Sequence, residues 1–242
     1  MRTTLLTQVL LYVLFPIAGT IIGALTAAIR TPGPLVRSAI QHFGAGVVFA
    51  AIAGELIPEA MHSRAPLPVA IGFALGVLAM FALRFWAEKR EKAEAKGRRS
   101  RFGLIAAVGV DTILDGLVIG IGFIAGKKEG VLIVIALTLE MFFLGLTTAV
   151  TLLGEGAKKR KVILLTASLA LMIGVGAALA VTILGGLTGA ALYGVLAFGC
   201  ATLLYLVTEE LLIDAHSVKE TPLVTSVFFA GFLLLLMLEM TV

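Results

Sequence analysis

Apolar runs follow one another almost without pause along this chain of 242 residues. A bilayer core about 30 Å thick takes about 20 apolar residues per helical crossing. The pattern therefore predicts eight membrane-spanning helices, over residues 5–29, 36–61, 66–87, 103–125, 131–154, 161–184, 188–213 and 222–241. Breaks containing Gly or Pro punctuate them: TPGP at 31–34, GKKEG at 126–130 and GGLTG at 185–189. The first run is too long for a signal-peptide core and ends in no convincing cleavage site, so it reads as a retained helix. The expected fold is an all-α integral membrane bundle, a single transmembrane domain over 1–242. Its longest polar stretch, EKREKAEAKGRRSR at 88–101 between helices 3 and 4, reads as a solvated helical extension in a charged loop. Contact with anionic lipid is the secondary reading of that loop.

Composition agrees with the pattern: 60% of residues are hydrophobic and 14% charged, far from the balance of a soluble domain. The single cysteine, Cys200, excludes an internal disulfide. A net charge of +4 would fit a nucleic-acid binder, but its distribution does not. Fifteen of the nineteen lysines and arginines fall on one side of the eight predicted spans, most of them between Arg84 and Arg101 and in Lys158–Lys161. Short basic loops of this kind set membrane orientation. The basic side is then cytoplasmic, both termini are extracytoplasmic, and the expected setting is the plasma or inner membrane of the cell, multi-pass, with no nucleic-acid partner.

A weaker pattern lies inside the spans. Helix 2 reads GAGVVFAAIAGELIPEA (44–60) and helix 7 reads GCATLLYLVTEELLIDA (199–215). Aligned without gaps, Gly44 meets Gly199, Glu55 meets Glu210, Glu59 meets Asp214 and Ala60 meets Ala215. The two helices cross in opposite directions, so the relationship is an inversion. DTILDG (111–116) and EMFFLG (140–145) echo each other in helices 4 and 5. The expectation is an inverted repeat, helices 1–3 against 6–8, around central helices 4 and 5, a recurring plan of secondary transporters.

Acids inside membrane spans are costly, and each is a functional candidate by default. Asp111 and Asp115 share one face of helix 4, about 12 and 18 Å from its cytoplasmic end. Glu140 lies about 14 Å from the outer end of helix 5. All three reach similar depth near the bilayer midplane, and no Lys or Arg lies there to balance them. A divalent cation, protons, or both must do so. The competing reading has these acids protonated and hydrogen-bonded between helices, or facing a water-filled crevice with no ligand. Further acids stand at the two faces: Glu55 and Glu59 with His62 at the outer end of helix 2, and Glu209, Glu210, Asp214 and His216 at the inner end of helix 7. Together with the midplane set they read as a path for cations; the bland reading is solvated helix ends. His42 reads as a satisfied or interfacial histidine, Glu239 as interfacial, and Glu88, Glu91 and Glu94 as solvated.

With these residues in view, the chain resembles the ZIP (Zrt/Irt-like) family of divalent metal transporters, as a divergent bacterial-type member. The resemblance covers eight spans, both termini outside, and a variable charged loop between helices 3 and 4. Where family members often read HLLPEA at the end of helix 2, this chain has ELIPEA (55–60). Where helix 7 often ends HEIIPEAH or EELIPEAH, it has EELLIDAH (209–216). The helix 4 motif HNxPEG corresponds to DTILDG, with Asp111 in place of the metal-binding histidine and Asp115 in place of the bridging glutamate. In helix 5, Glu140 takes the position of a His or Gln, and Leu144 that of an acid. Thr112, Met141 and Leu144 replace polar ligands of the family's second metal position, and helix 6 has no acid to complete it. The resemblance therefore implies one midplane metal held by Asp111, Asp115 and Glu140. Prolines of both motifs are also missing (Leu114, and Phe142 or Phe143), which implies straighter helices 4 and 5.

An all-oxygen site favours Mg²⁺, Ca²⁺ or Mn²⁺, whereas imidazole would favour Zn²⁺. Carboxylates still bind zinc, so zinc, manganese, iron and cadmium all stand as cargo on family grounds. The metal is a substrate; no prosthetic group is expected. Three carboxylates against one divalent ion leave a negative charge over, so binding is expected to depend on pH. The expected partners are the lipid bilayer, the metal ion and a second copy of the chain, since small residues (Gly72, Gly76, Gly174, Gly176, Gly199) permit close packing or a dimer interface. Rival readings are an intramembrane metalloenzyme using Glu209 and Glu210, an ion-coupled solute carrier using the same acids, and a structural or signalling membrane protein. The enzyme reading lacks metal ligands on helix 8, which has no His, Asn or Asp, so the chain is expected not to be an enzyme.

Overall fold

A computed structural model describes residues 2–62, 64–94, 101–218 and 221–241, and among them every regular element is helical. Eight helices are long and apolar enough to cross a membrane: α1 (Thr3–Ile29), α2 (Pro34–His62), α3 (Pro66–Trp86), α4 (Val108–Ala125), α5 (Lys127–Gly154), α6 (Lys159–Leu184), α7 (Ala190–Ala215) and α8 (Pro222–Glu239). The eight spans are those the apolar pattern predicts. α5 begins at Lys127, four residues before the expected 131. Gly126 alone, with extended backbone, separates α4 from α5. The residues after it are good helix formers, and Glu129 stands in the first turn, where the helix dipole favours an acid. The helix of α3 runs on to Glu94 and that of α4 starts at Arg101, so residues 88–94 of the charged stretch extend α3. Positions 95–100 lie outside the described residues.

The helices pack in a symmetric network. α1 lies on α5 and α6, α4 lies on α6 and α5, α2 lies on α8, and α3 lies on α7; α2 also touches α5, as α7 touches α4. Exchanging α1 with α6, α2 with α7, α3 with α8 and α4 with α5 returns the same set of pairs. Burial within an 18-residue stretch of each helix follows the exchange closely: 61% in α4 and α5, 39% in α1 and α6, 17% in α3 and α8, and 67% against 56% in α2 and α7. This is the packing an inverted repeat demands. It leaves α2, α4, α5 and α7 innermost, with α3 and α8 facing lipid.

Glycines set the closest crossings. A Cβ on Gly23 of α1 would meet the carbonyl of Phe142, and one on Gly145 of α5 that of Thr20. At the matching seam, Gly116 of α4 faces the carbonyl of Ile173, and Gly176 of α6 that of Ile113. Backbones in lipid approach this closely only over small residues. The small residues singled out in the sequence also meet neighbours within the chain: Gly72 lies against Gly194, Gly76 against Phe198, Gly174 near Val13 and Gly199 near Val118.

Two inner helices carry a widened turn that periodicity could not predict. α2 is π-helical over Ile52–Leu56 and α7 over Leu206–Leu211. In the gapless alignment these are the same place in the repeat, and they hold Glu55 and Glu210. Pro58 cannot donate to the Gly54 carbonyl, which accounts for disruption in α2. α7 has Ile213 at the matching position, so proline is not the shared cause. A third π turn, Ala180–Leu184, ends α6. Such turns recur at functional sites because the extra residue re-aims the side chains on either side.

Candidate functional site

One turn separates Asp111 from Asp115 on α4, and α4 packs on α5, which presents Glu140. Each residue offers an oxygen within 4.8 Å of the other two. Asp111 is 8% exposed, Asp115 5% and Glu140 2%, and Asp115 Oδ2 and Glu140 Oε2 have no hydrogen-bond partner. The groups that act on these carboxylates electrostatically are acids: one another, and Glu210. Two unit charges 4 Å apart repel by about 4 kcal/mol at an effective dielectric of 20, so three ionised carboxylates cannot persist here alone. Oxygens bound to one divalent ion lie roughly 3–4 Å apart, given metal–oxygen distances of about 2.0–2.6 Å. The three carboxylates are therefore close to a ligand set as they stand. Among the described residues they form the one group of three such side chains whose ligand atoms converge. Thr112 donates its hydroxyl to the Val108 carbonyl at 2.7 Å, and Met141 is fully buried.

The candidates at the faces divide into different environments. Glu210 is solvent-exposed although protein surrounds most of it, and it interacts electrostatically with Asp111, Asp115 and Glu140. Glu55, its counterpart, is buried, and Lys128 Nζ lies 3.5 Å from its Oε1. Glu239 closes on Gly54 beside it, so that acid belongs to this mouth. Glu59 is half-buried and His62 exposed at the end of α2. Glu209 is paired elsewhere: Arg84 Nη1 donates to its Oε2 at 2.7 Å. Asp214 and His216 are exposed; Asp214 Oδ2 accepts from Gln41 Nε2 at 3.3 Å, and the His216 ring centre lies 5.1 Å from that of His42.

Sequence reasoning missed the partners Lys128, Arg84 and His42. Lys128 stood among the orientation charges, and nothing in a linear pattern tells that a lysine opening α5 reaches an acid of α2. The helical spacing of Ser38 and His42 was the available hint of a held imidazole.

Compared with curated proteins, the chain matches none. The profile of the family described as ZIP Zinc transporter matches residues 87–239. That stretch is more than half of the 242 residues and takes in all of α4 to α8, with DTILDG, Glu140 and EELLIDAH inside it. The ELIPEA motif of α2 lies outside the match, but the symmetric packing of α2 and α7 relates it to the matched half. The resemblance read from scattered acids therefore has independent support over the last five spans, and the chain belongs to the ZIP zinc transporter family.

Proposed function

We propose that this protein carries a divalent metal cation across the membrane toward the cytoplasm, through a single midplane position formed by Asp111, Asp115 and Glu140. The observation behind the proposal is the convergence of three buried carboxylates, two with orphan oxygens and, among the described residues, none with a basic neighbour. A dry site built this way needs positive charge to balance it, and three convergent oxygen donors suit a divalent ion. Metal enters past Glu59 and Glu55, rests on the triad, and leaves by Glu210, Asp214 and His216. The basic loops orient the charged-loop end to the cytoplasm. On that reading, the exposed Glu210 and the Lys128-paired Glu55 fit a state open inward and closed outward.

Alternation follows from the packing. α1, α4, α5 and α6 hold one another, whereas α2 with α8 and α3 with α7 form the flanking pairs. The triad lies within the first group, and displacing that group against the flanking pairs exposes it to one face at a time. The chemistry is that of a carrier and not of an enzyme: the converging side chains are carboxylates that grip a cation, and no step of covalent chemistry is asked of them. The oxygen donors admit zinc and manganese alike.

Initial-rate metal uptake into proteoliposomes, comparing the native chain with Asp115→Ala, tests this. Uptake of zinc or manganese that the substitution abolishes is the expected result. Uptake indifferent to it, or absent for every divalent ion, would overturn the proposal.

A further inference from the structure

His42 of α2 is 1% exposed. Its Nδ1 lies 2.9 Å from the carbonyl oxygen of Ser38, one turn earlier. A carbonyl only accepts, so the contact places the proton on Nδ1 and leaves a lone pair on Nε2. That Nε2 is buried with no partner. Metal-binding histidines have this arrangement: one ring nitrogen donates to a backbone carbonyl, fixing the tautomer, and the other faces the ion.

The surroundings of His42 supply further ligands. The rings of His42 and His216 have centres 5.1 Å apart at 71°. Two imidazoles on one tetrahedral zinc, with Zn–N of about 2.0–2.1 Å, hold their ring centres roughly 5 Å apart. Gln41, the residue before His42, binds the carboxylate of Asp214, two residues before His216. Ser38 Oγ donates to the Ala215 carbonyl at 2.6 Å and pins α2 to the end of α7. A nitrogen-rich corner is thus fixed between two helices that the midplane triad does not share.

We propose a second metal site, of the zinc-preferring class, formed by His42 Nε2, His216 and Asp214 at the charged-loop end of α2 and α7. His42 is the preset ligand. His216, on the turn after α7, and Asp214 complete the set when the ion arrives, with water in the remaining position. Imidazole selects zinc over magnesium and manganese. The site therefore adds, on the exit side of the path, the softness that the all-oxygen triad lacks. Its place on that path rests on the transport reading; its binding chemistry does not.

The test uses the full chain in detergent with the triad made uncharged but isosteric (Asp111→Asn, Asp115→Asn, Glu140→Gln). Zn²⁺ is titrated, and the bound ion is read by X-ray absorption. One zinc per chain with imidazole scattering, undisturbed by excess Mg²⁺, is expected. Adding His216→Ala, checked for folding by circular dichroism, should weaken zinc by on the order of tenfold or more. His42→Gln, checked for folding by circular dichroism, should do the same. No zinc bound by a folded triad variant, zinc bound without imidazole, or affinity indifferent to His216→Ala would each overturn the site. Failure of the transport reading shows separately, as native protein that moves no metal while this site still fills.

Discussion

Glu55 and Glu210 occupy the same place in two oppositely directed helices, each within a π-helical turn, yet Glu55 is buried against Lys128 while Glu210 reaches water. The helix pairs around them are related by one exchange, so equal environments would be expected if both mouths were in the same state. The difference marks where the repeat's symmetry is broken. A carrier has to break it somewhere, since a site open equally to both faces would leak.

Lys128 opens α5 and Glu55 belongs to α2, so their ion pair joins the helix group holding the triad to a flanking pair. Lys128 is 43% exposed at the side chain, and a pair of that exposure contributes about 0.2–1 kcal/mol. Lys128→Ala should free Glu55 for an incoming cation and lower KM for metal uptake by about two- to fivefold. Lys128→Glu should lower it further. Uptake kinetics over a metal series measure this. A KM unmoved by both changes would show that the lysine has no part in the mouth at Glu55.

Mutual repulsion in the triad has a consequence for stability of opposite sign to its consequence for binding. Glu140→Gln removes one carboxylate from a set of three while keeping its shape. Without metal the variant should melt higher than the native chain, by ~2–4 °C for each kcal/mol of repulsion relieved. With metal the order should reverse, because ligand stabilisation grows with the ratio of ligand to Kd, and Kd rises when a ligand is lost. Thermal unfolding in detergent, with and without Zn²⁺, reads both. A Glu140→Gln chain that melts lower in both conditions would mean the carboxylate is a structural hydrogen-bonding group.

Glu209 and Glu210 are neighbours in sequence with different employment. Glu209 is clasped by Arg84 across the α3–α7 seam, and the same guanidinium reaches Tyr205 at 3.4 Å. Glu210 is exposed and interacts electrostatically with the triad carboxylates. Neutralising Glu210 to Gln should therefore slow metal uptake far more than neutralising Glu209. Arg84→Ala should cost about 0–1 kcal/mol, as half-exposed pairs do. Equal loss of transport in the two glutamine variants would contradict this division.

The spans and the triad were legible because lipid punishes deviation. A crossing needs its length of apolar residues, and an acid within it stands out against that background. Asp111, Asp115 and Glu140 could be matched in depth by counting along two helices. The inverted repeat was legible through α2 and α7, where acids mark equivalent positions, and through the echo of DTILDG and EMFFLG in α4 and α5; α1 and α6 share no such marks, and their equivalence shows in packing alone. The π turns left no trace, because Ile213 replaces the proline that α2 has and a widened turn needs no special composition. His42 was half legible. Its spacing from Ser38 suggests the satisfied Nδ1, while the orphan Nε2 depends on where α7 ends. Side-chain reach across a seam, as in Lys128 to Glu55, is likewise settled by tertiary placement.

The paired glycine seams give the repeat a mechanical test. At Gly23 an added methyl would meet the Phe142 carbonyl, and at Gly116 that of Ile173; each obstacle is backbone, which no rotamer change moves aside. The helices would have to separate, and overpacking of this kind costs about 1–3 kcal/mol. Gly33 is the control: its φ is −64° and a Cβ there meets nothing within 4 Å, so alanine fits without strain. Gly23→Ala and Gly116→Ala should each lower the melting temperature, by ~2–4 °C per kcal/mol, and by similar amounts, whereas Gly33→Ala should leave it unchanged. Because α1 with α5 and α6 with α4 are equivalent under the exchange, a large loss at one seam with none at the other would show that the two halves do not share a packing plan.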